Sequence, residues 1–159
     1  MTREERWMRA AYREAERARD LGEVPVGALV VFQDEVVGFG FNRRETDHDP
    51  VAHAEILAIR QASEQLGRWR LTGCELFVTL EPCPMCAGAI VNSRLDRLVY
   101  GASDPRAGAA GTVFDLVRDE RLNHQVEVVP GVLADSCSQI LSDFFADLRA
   151  KRRKKPNDA

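Results

Sequence analysis

The sequence lacks the long apolar runs and the dense cysteines of membrane and disulfide-rich secreted proteins. No run in its 159 residues approaches the 18 apolar residues of a transmembrane helix. The opening "MTREERWMRAAYREAERARD" is charged where a signal peptide needs an apolar core. We therefore expect a cytoplasmic protein with no membrane partner. In that reducing compartment its four cysteines would not form a disulfide framework, and a C-x-x-C pair points to metal or redox chemistry.

Nucleotide-binding motifs and an excess of positive charge are also missing. "GFGFN" lacks the third glycine and the following helix of a dinucleotide site, and "GAAGT" lacks the lysine of a phosphate loop. We expect no nucleotide cofactor. The net charge is −3, but the terminal "KRRKKPNDA" carries five basic residues and one aspartate. This tail is either a solvated, frayed terminus or an arm that steers RNA.

The apolar pattern predicts an α/β domain over residues 1–150, followed by a basic, disordered tail at 151–159. A hairpin followed by alternating helices and strands indicates a mixed sheet with helices on both faces. The predicted elements are a helix at 4–20, a hairpin turning at 33–35, a helix at 53–66, a strand "CELFVTL", a helix "PMCAGAIVNS", a strand "RLVYGA", a helix at 111–118, a strand "QVEVVPGVL" and a closing helix "SCSQILSDFFADLRAKRR".

Two short segments carry nearly all of the metal-binding side chains with useful spacing, and each lies at the start of a predicted helix. They are "HAE" at 53–55 and "PCPMC" at 82–86. Cys83 and Cys86 are three residues apart, so both sulfurs lie on one side of the first turn, where the helix dipole stabilises thiolates. Two thiolates and the His53 imidazole suit Zn²⁺ and leave its fourth position open, as in a catalytic site.

Other interpretations of these ligands stay open. Cys74 is a poor fourth ligand, because six extended residues at about 3.3 Å each carry the chain roughly 20 Å away from it. His48 or Cys137 could close a structural zinc site. Cys83 and Cys86 could instead form a redox pair, although this would leave "HAE" without a role.

Glu55 is two residues from His53, so in mid-helix the two side chains would diverge by about 200°. Both can face one centre only where the chain enters the helix. A carboxylate that lies there without binding the metal can take a proton from water and pass it to a leaving amine. The alternative is an acidic first-turn residue that complements the helix dipole.

The pattern H-x-E followed by P-C-x-x-C resembles the signature of the zinc-dependent deaminases of the cytidine deaminase-like superfamily. "HAE" and "PCPMC" match it without departure. Further segments, including "EVPVGALVV", "FNRR", "VYGASDPRAGAAGT" and "LADSCSQILSDFF", are similar to the bacterial tRNA-specific adenosine deaminases, with similarity over about residues 5–150. The resemblance implies a three-layer α/β/α cytidine deaminase-like fold with a central five-stranded mixed sheet.

The resemblance also implies a Zn²⁺-dependent homodimer that converts adenosine to inosine at the wobble position of a tRNA anticodon stem-loop. Glu55 would be the catalytic proton carrier, and the zinc ligands would be His53, Cys83 and Cys86. The residues expected to contact RNA are Asn42 at the flipped base, Val26, Ala54 and Asp104 around the pocket or its approach, and Phe145 and Arg149 on the last helix.

Each substrate contact has a simpler alternative: Asn42 as a turn residue, Asp104 as a cap in "SDPR" and Phe145 as a core residue. Two other functions also remain. A deaminase of a free base or nucleoside, of guanine or cytosine type, would have the same metal centre. A zinc-stabilised RNA-binding module would keep the ligands without needing Glu55 as a proton carrier.

Overall fold

The sheet at the centre of the fold lies between two layers of helices. The computed structural model describes residues 1–154. The sheet order is β2-β1-β3-β4-β5, with β1 antiparallel to both neighbours and β3, β4 and β5 parallel to one another. In chain order the elements are α1 (Arg3–Asp20), β1 (Gly27–Phe32), β2 (Glu35–Phe41), α2 (Ala54–Leu66), β3 (Cys74–Leu80), α3 (Pro84–Asn92), β4 (Arg97–Ala102), β5 (Glu127–Val129) and α4 (Ala134–Lys154).

Alternating residues of the central strands divide the core between the two faces of the sheet. Val30 and Val78 pack with the alanines of α2 and with Ile90 of α3. Phe77, from the same strand as Val78, packs on the opposite face with Met8 of α1. The sheet therefore has α2 and α3 on one face and α1 and α4 on the other. Successive strand side chains point to opposite faces, so both faces are apolar and both need a layer of helices.

Helix α2 lies unusually close to strand β2 because two strand residues have no side chain. A Cβ at Gly38 would lie 2.2 Å from the carbonyl oxygen of Ala58, and one at Gly40 would lie 2.8 Å from that of Ala54. Alanines on the facing side of the helix complete this contact. The close approach fixes the beginning of α2, where His53 and Glu55 lie, against the sheet.

The predicted fold class is confirmed, with five strands in a mixed sheet and helices on both faces. Two details differ from the predicted elements. Residues 111–118 are not helical: Gly111 has φ +129°, and Ala110 forms an isolated bridge with Asp115. Strand β5 is only three residues long and ends before Pro130, which has no N–H to donate to a neighbouring strand.

Helix α4 continues through Lys154, one residue beyond the predicted closing helix and four residues into the segment 151–159 that was predicted to be a disordered tail. The remainder of that segment, 155–159, lies outside the described residues. Within residues 1–154, no helix combines the length and the apolar character needed to cross a bilayer.

Candidate metal centre and pocket

The three candidate metal ligands stand at the N-termini of two helices on the same face of the sheet. His53 is the N-cap of α2, with φ −79° and ψ 152°, and Cys83 is the N-cap of α3. Pro84 occupies the first turn of α3, where its missing N–H would have had no helical partner. Cys86 follows in the same turn and is buried. Because both segments lie where the chain enters a helix, their side chains can face one point. The spacing of His53 and Glu55 requires this position.

The distances within this cluster match those of ligands around one zinc ion. The Nδ1 atom of His53 lies 3.7 Å from Sγ of Cys83 and 3.5 Å from Sγ of Cys86. Tetrahedral ligation with ordinary Zn–N and Zn–S bonds separates N from S by about 3.6 Å. Among residues 1–154, this is the only group of three His, Cys, Asp or Glu side chains that converges in this way. The cluster could hold a metal ion, and Cys74 does not belong to it.

The sulfurs and the imidazole already interact strongly with one another. A hydrogen bond from Cys86, opposed by burial, lowers the pKa of Cys83 to about 4. The pKa of Cys86 is raised, because it is the thiol that donates to Cys83 and because it is buried. The hydrogen bond with Cys83 also raises the pKa of His53. A bound cation would favour the thiolate at both cysteines and the neutral imidazole.

Glu55 lies in the first turn of α2 and is only 4% exposed. Burial raises the pKa of its carboxyl to about 7. The side chain contacts the same cavity as His53 and Cys83. Glu55 is thus a buried carboxyl beside the metal cluster, in a position where it can exchange a proton with a molecule in the cavity.

A cavity of about 160 Å³ opens directly above this cluster. It brings together the four residues that the resemblance places around the substrate. It also includes residues that the sequence analysis did not assign to the pocket. The first set is Val26, Asn42, Ala54 and Asp104, and the second is Val24, Arg44, Leu80 and Glu81.

Asn42 and Asp104 both line the cavity and both stabilise a turn. The Asn42 amide donates to the carbonyl of Val24 at 3.2 Å, and its Oδ1 accepts from the Arg44 N–H at 3.1 Å. Asp104 Oδ1 accepts from the backbone of Arg106 at 2.9 Å. The turn and cap alternatives therefore describe real contacts. Asn42 can still have a second role, since its side-chain amide has a second N–H donor.

A wider groove of about 700 Å³ adjoins the cavity and shares Val24, Leu80 and Asp104 with it. Phe145 and Arg149 lie along this groove on helix α4. Phe145 is 40% exposed, so the alternative that it is a core residue is wrong.

Two buried carboxylates hold the loops on either side of the cavity, and the sequence analysis singled out neither. Glu23, 2% exposed, accepts from the backbone N–H groups of Glu45 and Thr46. Glu81, 1% exposed, accepts from the backbone of Asp104, Ala110 and Thr112. Burial would raise the pKa of each carboxyl, but these donors outweigh it and the pKa is lowered. Both groups are therefore ionised anchors for loop backbone.

A five-stranded α/β/α sandwich with histidine, glutamate and two cysteines at paired helix N-termini defines a deaminase. Residues 2–149 match the family model of the MafB19-like deaminases. The tRNA-specific adenosine deaminase of Bacillus subtilis is 50% identical over 153 residues, which are 96% of this chain and 95% of that protein. The Haemophilus influenzae protein of the same name is 47% identical over 151 residues, 94% of this chain and 87% of that one. This chain belongs to the tRNA-specific adenosine deaminase family.

Solved structures agree with this placement. One, from a study of A-to-I editing by tRNA:A34 deaminases at the wobble position of transfer RNA, is 42% identical with a TM-score of 0.81 and covers 84% of this chain and 97% of its own. The guanine deaminase from Nitrosomonas europaea is 25% identical with a TM-score of 0.75, over 87% and 82% of the two chains. The fold is thus shared with a deaminase of a free base, while the higher identity lies with the tRNA deaminases.

Proposed function

We propose that this protein converts adenosine to inosine at the wobble position of a tRNA anticodon, by hydrolysing the bond between C6 and the exocyclic amine. The observation that carries the proposal is the convergence of His53, Cys83 and Cys86 with buried Glu55 at the floor of one cavity. Family membership supports adenosine in tRNA as the substrate.

The metal that suits this donor set is Zn²⁺, held by Nδ1 of His53 and the sulfurs of Cys83 and Cys86. Two sulfurs and one nitrogen are ligands that zinc prefers, and the 3.5–3.7 Å separations fit its bond lengths. Three protein ligands would leave the ion one position for a molecule from the cavity. When bound, zinc would supply Lewis-acid activation of a water molecule at that position.

Glu55 moves the protons of the reaction. Its carboxylate accepts one proton as water adds to C6 of adenine and donates it to the ring nitrogen; it then accepts the remaining proton of the added hydroxyl group and donates it to the departing amine. One water is consumed, and inosine and ammonia are the products. Burial at 4% exposure keeps the carboxyl out of bulk solvent, so its proton passes to the bound base.

The walls of the cavity bind the flipped base and its neighbours. The Asn42 side-chain amide donates one N–H to the Val24 carbonyl, and its second N–H can donate to the edge of a base. Val26 and Ala54 form apolar contacts, and Asp104 marks the passage from cavity to groove. A free base would need only the inner cavity, whereas the groove accommodates flanking nucleotides.

In the proposed complex Phe145 and Arg149, which line that groove, contact RNA. The exposed Phe145 ring presents a face on which a base can stack, and Arg149 presents charge to a phosphate. By likeness to the family we also propose a homodimer and a cytoplasmic location, where tRNA is found. Sedimentation equilibrium of the zinc-loaded protein tests the dimer.

The deciding experiment incubates the zinc-loaded protein with an arginine tRNA anticodon stem-loop and, separately, with free adenosine, cytidine and guanine. We expect conversion of the wobble adenosine alone, detected by sequencing because inosine is read as guanosine. Turnover of a free nucleoside or base without RNA turnover would instead support the alternative deaminase.

A further inference from the structure

The loop of residues 104–112, here called the Glu81-bound loop, forms the wall between the cavity and the groove. Asp104 lines both spaces, and Arg106 and Ala107 line the groove. The loop contains no helix or strand. Its shape depends on hydrogen bonds within the loop, such as that from the Gly108 N–H to the Asp104 carbonyl at 3.0 Å, and on contacts made from elsewhere in the chain.

Four hydrogen bonds of this loop converge on Glu81. Oε1 accepts from the Asp104 N–H at 3.0 Å and from the Thr112 hydroxyl, and Oε2 accepts from the N–H groups of Ala110 at 3.0 Å and Thr112 at 3.1 Å. The next residue, Pro82, accepts from the Ala109 N–H at 2.8 Å. The segment that ends in Cys83 is thus tied directly to the loop.

Glycine at position 108 is what allows the carboxylate to lie inside the loop. A Cβ there would be 2.5 Å from both Cδ and Oε1 of Glu81 and 2.6 Å from the Asp104 carbonyl. The carboxylate cannot move aside without breaking its hydrogen bonds to four donors of the loop. Glu81 and Gly108 therefore form one close-packed unit.

We propose that Glu81 is a positioning residue, whose carboxylate holds the Glu81-bound loop, and with it Asp104, in the shape that admits the RNA substrate. The inference rests on the proposed function. Glu81 does not act as a second proton carrier, because both of its oxygens are occupied by loop donors. Its effect falls on substrate binding rather than on the chemical step.

Glu81→Gln tests the inference because it keeps the size of the side chain and changes only what one atom can do. Each oxygen accepts from two donors, so the amide nitrogen of Gln would face donors in either orientation. We expect KM for the anticodon stem-loop to rise by about tenfold or more, with kcat at saturation within about threefold. Zinc content should be unchanged.

Amide hydrogen exchange adds a readout that a general loss of stability would not reproduce. In Glu81→Gln the amides of Ala110 and Thr112 should exchange faster, while those of the β3–β4 pair keep their protection. Uniform acceleration throughout the sheet would overturn the inference, as would an unchanged KM. A fall in kcat without a change in KM would also overturn it, because Glu81 would then be catalytic. A loss of zinc would overturn it as well.

Gly108→Ala disturbs the same unit from the loop side and decides the matter if Glu81→Gln does not fold. Like Glu81→Gln, Gly108→Ala should raise KM for the stem-loop. The matched control is Gly88→Ala, since a Cβ at Gly88 meets no atom within 4 Å. Equal KM values for the two alanine variants would overturn the inference. If wild-type protein does not deaminate the stem-loop, the proposed function fails; if it does and both loop variants keep its KM, only this inference fails.

Discussion

At the floor of the pocket the functional groups stand on the first turns of two helices, whereas at its rim they stand on loops and on the surface of α4. His53, Glu55 and Cys86 are fixed by helical backbone that packs closely on the sheet. The loops that carry Asn42 and Asp104 are held by the buried carboxylates of Glu23 and Glu81. The floor is built for chemistry and the rim for fitting a substrate, so changes in the two regions should have separable effects on kcat and KM.

The largest effect should come from removing a metal ligand at the floor. We expect Cys86→Ala to lose zinc and to reduce turnover by more than about 10⁴-fold, because two protein ligands cannot hold the ion with the required affinity. The loss of zinc is measured as zinc per chain by plasma mass spectrometry, and the loss of activity as turnover of the stem-loop.

Cys74→Ala is the matched control for Cys86→Ala, since Cys74 is equally buried but begins β3 outside the cluster. It should keep zinc and most activity, with a decrease in stability of about 1 kcal/mol from the small cavity. Zinc depletion in the Cys74 variant would mean that Cys74 is a fourth ligand and that the site is closed.

The next effect should come from Glu55→Gln, which keeps the volume of the side chain and removes its proton transfer. We expect kcat to fall by about 10²–10⁴-fold, while zinc content and RNA affinity stay near those of the wild type. Glu64→Gln, an exposed change on the same helix, should be silent. If Glu55→Gln retained turnover, the assignment of Glu55 would be wrong and an RNA-binding module would become the better explanation.

The two regions also differ in how far sequence could predict them. Within each segment of the floor the side chains are two or three residues apart at a helix start, so "HAE" and "PCPMC" were sufficient to predict which groups each segment presents. That His53 and Cys83, 30 positions apart, meet at one centre was expected from their shared ligand chemistry and from the deaminase signature. The rim depends on hydrogen bonds between residues far apart in sequence, such as Glu81 with Ala110, 29 positions away. The same bonds join Glu81 to a non-helical segment in which Gly111 has φ +129°, and the helix predicted at 111–118 does not form.

Phe145 shows a second limit of sequence patterns. An apolar residue in an amphipathic helix is usually a core residue, and whether it packs inward depends on where the helix lies. Helix α4 buries Cys137 and Ile140 near its start but leaves Phe145 facing the groove. The strands at 74–80 and 97–102 were predicted with the limits that the structure has, because they are buried apolar runs with clear boundaries.

A smaller effect should follow at the rim from Asn42→Asp. This variant keeps the oxygen that accepts from Arg44 but removes both amide donors. If Asn42 donates to the base, catalytic efficiency should fall by about 10–100-fold with zinc intact. If it only stabilises the turn, Asn42→Asp should retain activity while Asn42→Ala loses it. Steady-state kinetics of the two variants separate these roles.

The smallest effect should come from the basic end of α4, furthest from the chemistry. Deleting residues 151–159 removes four basic helical residues with the rest of the tail, whereas deleting 155–159 removes one lysine and one aspartate and leaves the net charge unchanged. We expect the longer deletion alone to weaken RNA binding by a few-fold at low salt. The slope of log K against log salt should then become shallower by about 0.7 for each phosphate that the shortened chain no longer neutralises. Equal slopes for both deletions would exclude the basic segment from binding, and the Arg side chains nearer the pocket would supply the charge.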